Sequence, residues 1–192
     1  MSVTTIILVR HGQYKAKTDK ASEKLTGLGR KQAKLVGKRL REYKPNMIVH
    51  SSMLRAIETA QIIKSQIGLQ KTMEQTDLLC ECIPFIPKNL RIKGHKYDAK
   101  KFKTSELQLG KAFKKYIRLR KTKHTVVIVC HGNVIRYLVC KFLGVNTEVW
   151  SSMDIQQCGF SILKLSRKGF HKKALISHND VGHIPFKQRT FI

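Results

Sequence analysis

The sequence predicts an α/β fold: a three-layer α/β/α sandwich whose mostly parallel sheet carries an antiparallel component, forming one domain over residues 1–192. Three observations carry this reading. The apolar runs IILV at 6–9 and VVIVC at 126–130 do not alternate with polar residues, the pattern of strands buried on both faces. Stretches of helical periodicity separate the strand candidates, as crossover connections require. Two later runs, 158–166 and 171–178, lie close enough to be joined by a turn at Lys168-Gly169, which supplies the antiparallel part.

The elements follow in order. After the first strand at 4–10, Thr26 is placed to cap a helix over 27–43, with Leu28, Leu35, Val36 and Leu40 on its packing face and Leu25 as apolar neighbour of the cap. Gly29 and Gly37 weaken that helix locally and mark close packing. Pro45 ends it, and MIVH at 47–50 forms a short strand. A loop then runs into a second helix, with Ala56, Ile57, Ala60, Ile63 and Ile67 as its stripe. The segment 71–103 is the least regular, with one short strand, two prolines and the basic run KNLRIKGHKYDAKKFK. A helix at 105–121, the strand at 125–130 and a helix from Asn133 to before Gly144 complete the alternation. No repeat or linker divides the chain, and 192 residues with 42% hydrophobic content suffice for one core.

Composition narrows the partners. Thirty-eight Lys and Arg against twelve Asp and Glu give a net charge of +26, which favours phosphorylated ligands, anionic lipid or nucleic acid without choosing among them. Five cysteines without regular spacing fit a reduced, cytoplasmic chain, with peripheral association to an anionic membrane or organelle open to it. The Cys80/Cys82 pair lacks the spacing of a zinc site, and no metal or other cofactor is called for. The first strand starts close to Met1, leaving no room for a signal peptide, and the apolar runs fall short of the roughly 20 residues of a membrane span.

In open α/β sheets ligands collect at the carboxyl ends of strands, where helix N-termini offer unpaired N–H groups to anions. His11 and His131 sit there in the same setting, each after an apolar run and before a glycine. Gly12 and Gly132 are expected to let the backbone turn sharply and to permit close approach by a ligand. Two imidazoles with Arg10 beside them can hold a phosphoryl group. A strand-end histidine can equally be structural, and on the residues alone both readings stand.

The motifs are more specific. Arg10-His11-Gly12-Gln13 resembles the RHG signature of the histidine phosphatase (phosphoglycerate mutase) superfamily. LTGLGRKQA, the Ser51–Thr59 segment SSMLRAIET and Cys130-His131-Gly132 follow in the family order, covering residues 5–165. Within that superfamily the chain most resembles mitochondria-associated serine/threonine protein phosphatases, through His11–Tyr14, His50–Met53, Arg55–Thr59 and His131–Tyr137. It lacks the N-terminal membrane segment and multimerisation motif of those proteins, and it departs from them at Gly12, Cys80 and the Cys82-Ile83 pair.

The resemblance implies a phosphoglycerate mutase-like fold and metal-independent hydrolysis of phosphomonoesters. It implies His11 as phosphorylated nucleophile, Arg10 and Arg55 as phosphate clamp, His131 as a further donor, stronger if charged, and Glu81 as acid–base group. Gln13 and Asn133 are secondary phosphate contacts, Asn133 alternatively a helix cap. Arg136 is expected in a salt bridge that stabilises the site, and His50 in a structural hydrogen bond. Glu81 also reads as a solvated loop carboxylate.

The favoured substrate is a phosphoserine or phosphothreonine protein. The alternatives are a small sugar or nucleotide phosphate, or a non-enzymatic module binding RNA or another polyanion. Residues 88–124 hold fourteen Lys or Arg, a recruiting patch for an acidic or multiply phosphorylated protein or simply a solvated face. Nucleic acid is possible there but not favoured, and a homodimer is compatible with the sequence.

Overall fold

A computed structural model describes residues 2–16, 18–70, 73–84, 86, 91, 98–169 and 171–191. Among them six strands form one sheet: β1 (Val3–Arg10), β2 (Met47–Ser51), β3 (Glu74–Thr76), β4 (His124–Cys130), β5 (Phe160–Ser166) and β6 (Lys173–Asp180), in the order β3-β2-β4-β1-β5-β6. β1 lies inside the sheet, parallel to β4 on one side and antiparallel to β5 on the other. β2 and β3 extend the parallel part, and β6 the antiparallel part.

Helices α1 (Gly27–Leu40) and α2 (Leu54–Ile67) cover one face; α3 (Ala99–Tyr116) and α4 (Gly132–Leu143) cover the other. This explains the unbroken apolar run of β1. Ile7 and Val9 pack with Ala33, Val36, Ala56 and Ile63, while Ile6 and Leu8 pack with Leu109, Val134 and Leu138. All four β1 side chains are fully buried, each worth about 1.5–3 kcal/mol relative to exposure.

Thr26 caps α1 as its sequence position predicts: its Oγ1 accepts from the Gly29 N–H at 3.0 Å. A turn of 3-10 helix, Arg41–Tyr43, continues α1 before Lys44 adopts a left-handed conformation and Pro45 follows. Gly37 is a packing glycine. A Cβ there would lie 2.7 Å from the Gln66 side chain of α2.

The extents of α3, β5 and β6 differ from the sequence reading; β6 is Lys173–Asp180 rather than 171–178. α3 starts at Ala99 rather than 105, because Asp98 accepts from the Lys101 N–H and caps it; the helix stops at Tyr116 rather than 121. Lysines at 100, 101 and 103 disguise its first turn, whose buried face is carried by Ser105, Leu109, Ala112 and Tyr116. β5 starts at Phe160 rather than 158. Cys158 has φ +56°, a left-handed conformation, with its N–H directed at the carbonyls of Arg10 and His11. Residues 88–90 and 92–97, most of the predicted basic run, lie outside the described residues. No helix among the described residues is long and apolar enough to cross a membrane.

His183, against Phe160 with its Nε2–H donating to the Cys158 carbonyl at 3.1 Å, is pulled down to about 4, chiefly by burial. His11 and His131 are held well below the ordinary histidine range for the same reason. The unfolded chain therefore binds protons that the folded chain refuses. The contribution of these histidines is full above about 6.5 and is lost as pH falls toward 4, offset in part by Glu81, whose raised pKa acts in the opposite direction. Melting temperature should drop over that window, and His183→Gln should drop less, as measured by calorimetry at matched ionic strength.

Candidate active site

The site forms where β1 and β4 end. Their register pairs Arg10 with Cys130, and the His11 N–H donates to the Cys130 carbonyl at 3.0 Å. His11 and His131 are thus neighbours, with ring centroids 5.0 Å apart and both rings buried. Buried against each other and near Arg10 and Arg55, both are held neutral. Burial is the leading cause; for His11 the two arginines add to it, and for His131 His11 adds as well. His131 is therefore an uncharged donor rather than a charged one.

The hydrogen bonds of His11 fix its tautomer. Nδ1 lies 2.9 Å from the Gly12 carbonyl and donates to it, so Nε2 carries the lone pair. The Arg55 Nε donates to that lone pair at 3.2 Å. His50 repeats the arrangement on β2, its Nδ1 donating to the Ser51 carbonyl at 2.9 Å, the structural hydrogen bond expected of it.

Arg55 comes from the first turn of α2 and is nearly fully buried. Its Nη1 donates to Glu23 Oε2 and to the Lys20 carbonyl, both at 2.7 Å, and its guanidinium lies 4.9 Å from the centre of the Tyr14 ring. A single-residue pairing of Tyr14 with Leu25 tethers the loops that carry these groups. The ion pair with Glu23 is also buried, so it holds the guanidinium against the site in one orientation. Arg10 is anchored differently, its Nη1 donating to the carbonyls of Ile155 and Phe191 at 2.6 Å, while its buried Nε has no partner among the described residues.

Glu81 faces the same space. Its Oε1 is buried without a partner, and the Asn133 backbone N–H, in the first turn of α4, donates to the carboxylate. Burial raises its pKa to about 7, against the opposing pull of Arg10, Arg55 and Arg136. The solvated-carboxylate reading does not hold. His131 Nε2 sits 2.9 Å from Ser51 Oγ, and its buried Nδ1 has no partner. One site therefore gathers a neutral imidazole whose Nε2 lone pair accepts from Arg55, two guanidiniums, a second imidazole and a carboxyl that titrates near neutrality. That set can accept, hold and release a phosphoryl group.

The model for the histidine phosphatase superfamily (branch 1) matches residues 6–83 and 102–178. The chain belongs to this superfamily. It is 35% identical to the serine/threonine-protein phosphatase Pgam5, mitochondrial, of Caenorhabditis briggsae, over 97% of this chain and 66% of that protein. It is 36% identical to the Homo sapiens protein of that name, over 94% and 63%. The chain thus spans just under two thirds of these relatives. A crystal structure of a Plasmodium falciparum phosphoglycerate mutase superposes with a TM-score of 0.66 at 27% identity, covering 97% and 96% of the two chains.

The histidine phosphatase signature residues come together as the sequence places them: Arg10, His11, Arg55, Glu81 and His131 share one site. Gln13 and Asn133 border it with side-chain oxygens already engaged. Thr26 Oγ1 donates to Gln13 Oε1 at 2.6 Å, and Arg136 Nη2 donates to Asn133 Oδ1 at 2.8 Å. Asn133 is not the cap of α4; His131 occupies that position. Arg136 makes no ion pair among the described residues but donates to the Gly132 and Met153 carbonyls and lies over Trp150.

The signature glycines act differently from expectation. Neither Gly12 nor Gly132 has a positive φ. A Cβ on Gly12 would come within 2.6 Å of the Gly29 carbonyl oxygen, and one on Gly29 within 1.9 Å of the Gln13 carbonyl oxygen. The loop after β1 rests directly on the first turn of α1. At Gly132 a Cβ would meet only the Arg10 and Arg136 guanidiniums, at an ordinary 3.6 Å.

Sequence reasoning missed Glu23, Tyr14 and Thr59 as site residues. Thr59 Oγ1 accepts from the Gly12 N–H at 3.1 Å and donates to the Arg55 carbonyl, tying the loop to α2. Among the described residues, no group of three or more His, Cys, Asp or Glu is placed to hold a metal ion.

Gly29→Ala tests the backbone contact. The methyl group has no space, so the variant should lose about 1–3 kcal/mol in denaturant unfolding. Its phosphatase rate should fall further than Gly27→Ala, where a Cβ meets nothing within 4 Å.

Proposed function

We propose that residues 1–192 form a single catalytic domain that hydrolyses phosphomonoesters through a phosphohistidine, acting without a metal on phosphoserine and phosphothreonine proteins. The observation that carries this is the His11 tautomer: a neutral ring whose Nε2 lone pair faces a site lined by Arg10, Arg55 and a carboxyl near pKa 7.

In the first step the Arg55 Nε–H turns from His11 to a phosphate oxygen, and the freed His11 Nε2 attacks phosphorus in line with the ester oxygen. The N–P bond forms as the P–O bond breaks, and Glu81 in its acid form gives its proton to the departing alkoxide. Arg10 and Arg55 bind the non-bridging oxygens. Ser51 can donate its hydroxyl proton to His131 Nε2, which leaves Nδ1–H to point at a phosphate oxygen. Gln13 and Asn133, through their amide nitrogens, border the same oxygens. In the second step water attacks phosphorus, Glu81 takes its proton, and phosphate leaves with His11 restored.

The choice of a phosphoprotein rests on the relatives that bear the name serine/threonine-protein phosphatase. The exposed lysines 100, 101 and 103 of α3 are a recruiting surface in this reading. Five unpaired cysteines fit a reducing cytoplasmic setting, with the basic surface available for peripheral contact with an anionic organelle membrane.

His11→Ala should abolish turnover and the acid-labile phosphoenzyme, read by rapid quench with labelled substrate; label on another residue of the wild type would overturn the assignment. For a phosphopeptide with a poor leaving group, kcat/KM should fall above about pH 7 as Glu81 loses its proton. Glu81→Gln should remove that limb and slow the peptide roughly 10²–10⁴-fold, with a much smaller loss for an activated aryl phosphate. Equal losses for both substrates would leave Glu81 a structural role only.

A further inference from the structure

At the opposite end of the sheet, where β4 begins, lies a cavity of about 470 Å³ lined by Met47, Glu74, Lys115, Arg118, Arg120 and Lys121, with Tyr116 and His124 in its wall. Four permanent cations meet one carboxylate there. Glu74 is already engaged, accepting from Lys115 Nζ and from the Tyr116 hydroxyl, both at 2.7 Å. Arg118 and Lys121 are exposed, and neither has a hydrogen bond or ion pair among the described residues.

The loop bearing these cations is fastened to the sheet. The Arg120 N–H donates to Thr4 Oγ1 at 2.8 Å, and the Ser2 hydroxyl donates to the Arg120 carbonyl. β2 adds its first residue, Met47, to the wall. Cations held on an anchored loop around a concavity lose less entropy on binding an anion than lysines scattered over a helix. Their spacing across a space of this size suits several linked phosphoryl groups better than one.

We infer that this cavity is a second anion site, which takes a small soluble molecule carrying two or more phosphoryl groups. It is separate from the active site. β4 runs from His124 at the cavity to Cys130 beside His131, about 20 Å at 3.3 Å per residue. That exceeds the screening length of about 8 Å at physiological ionic strength. Changing charge at the cavity should therefore leave the chemical step alone.

The test is calorimetric titration of inorganic triphosphate, at constant ionic strength, into His11→Ala, chosen so that no turnover consumes the probe. Two sites are expected. Adding Arg118→Glu and Lys121→Glu should weaken one of them at least about tenfold and leave the other unchanged. In the wild-type background the same two substitutions should leave hydrolysis of an aryl phosphate within about twofold. Should the protein prove to have no phosphatase activity, a matching melting temperature shows instead that the variant is folded. Sensitivity to the two substitutions still decides the inference independently of the proposed reaction. Absence of any site that the substitutions weaken, whether one site or two are counted in His11→Ala, overturns it. So does binding to phosphatidylcholine vesicles doped with anionic phospholipid, lost in the variant, without binding of soluble triphosphate; the surface would then be a membrane contact.

Discussion

The parallel pairing of β1 with β4 is the constraint on which the site depends. Two histidines separated by 120 positions meet because Arg10 opposes Cys130 in register. A slip of one residue would send Ile6 and Leu8 to the face that now holds Ile7 and Val9, and both histidines would lose their places at the strand ends. The fully buried core on both sides of β1 forbids that slip. Hydrophobic burial therefore sets the geometry of the site here, through residues that lie in the two cores rather than in the site.

Electrostatics is layered on that frame with a deliberate conflict. Burial drives imidazole and carboxyl groups toward their neutral forms, and the guanidiniums pull the carboxyl the other way. The outcome is a neutral imidazole beside a carboxyl that keeps its proton up to about pH 7. In a chain of net charge +26 a further concentration of cations would ordinarily be repelled. Glu23 answers this locally by neutralising Arg55 from the side away from His11.

Much of this is legible in the sequence because it rests on local signals. Unbroken apolar runs mark the central strands, Thr26 marks the start of α1, and the ordered motifs mark the principal site residues. What stays hidden depends on contacts between distant segments. Glu23 lies in a loop with no periodicity, and only the folded chain reveals that it reaches Arg55. Gly12 looks like a conformational glycine, whereas its role is backbone contact with Gly29 seventeen positions on, where the sequence already marks close packing. The start of α3 is masked because lysines populate its exposed turn, and Asp98 is one acidic residue among many basic ones. The pKa of Glu81 depends on burial set against the opposing pull of Arg10, Arg55 and Arg136, which no linear pattern reports.

The carbonyl of Phe191 accepts from Arg10, while Gln32 Nε2 donates to the Gln188 carbonyl at 2.7 Å and to Thr190 Oγ1 at 2.8 Å. Gln32 Oε1 in turn accepts from the Gln13 N–H, within the loop that follows the nucleophile. A single segment, 188–191, thus anchors both an arginine of the site and the loop beyond it, although Arg10 and Phe191 stand 181 positions apart. A nick that freed this segment would loosen Arg10 and Gln13 together while leaving the sheet intact.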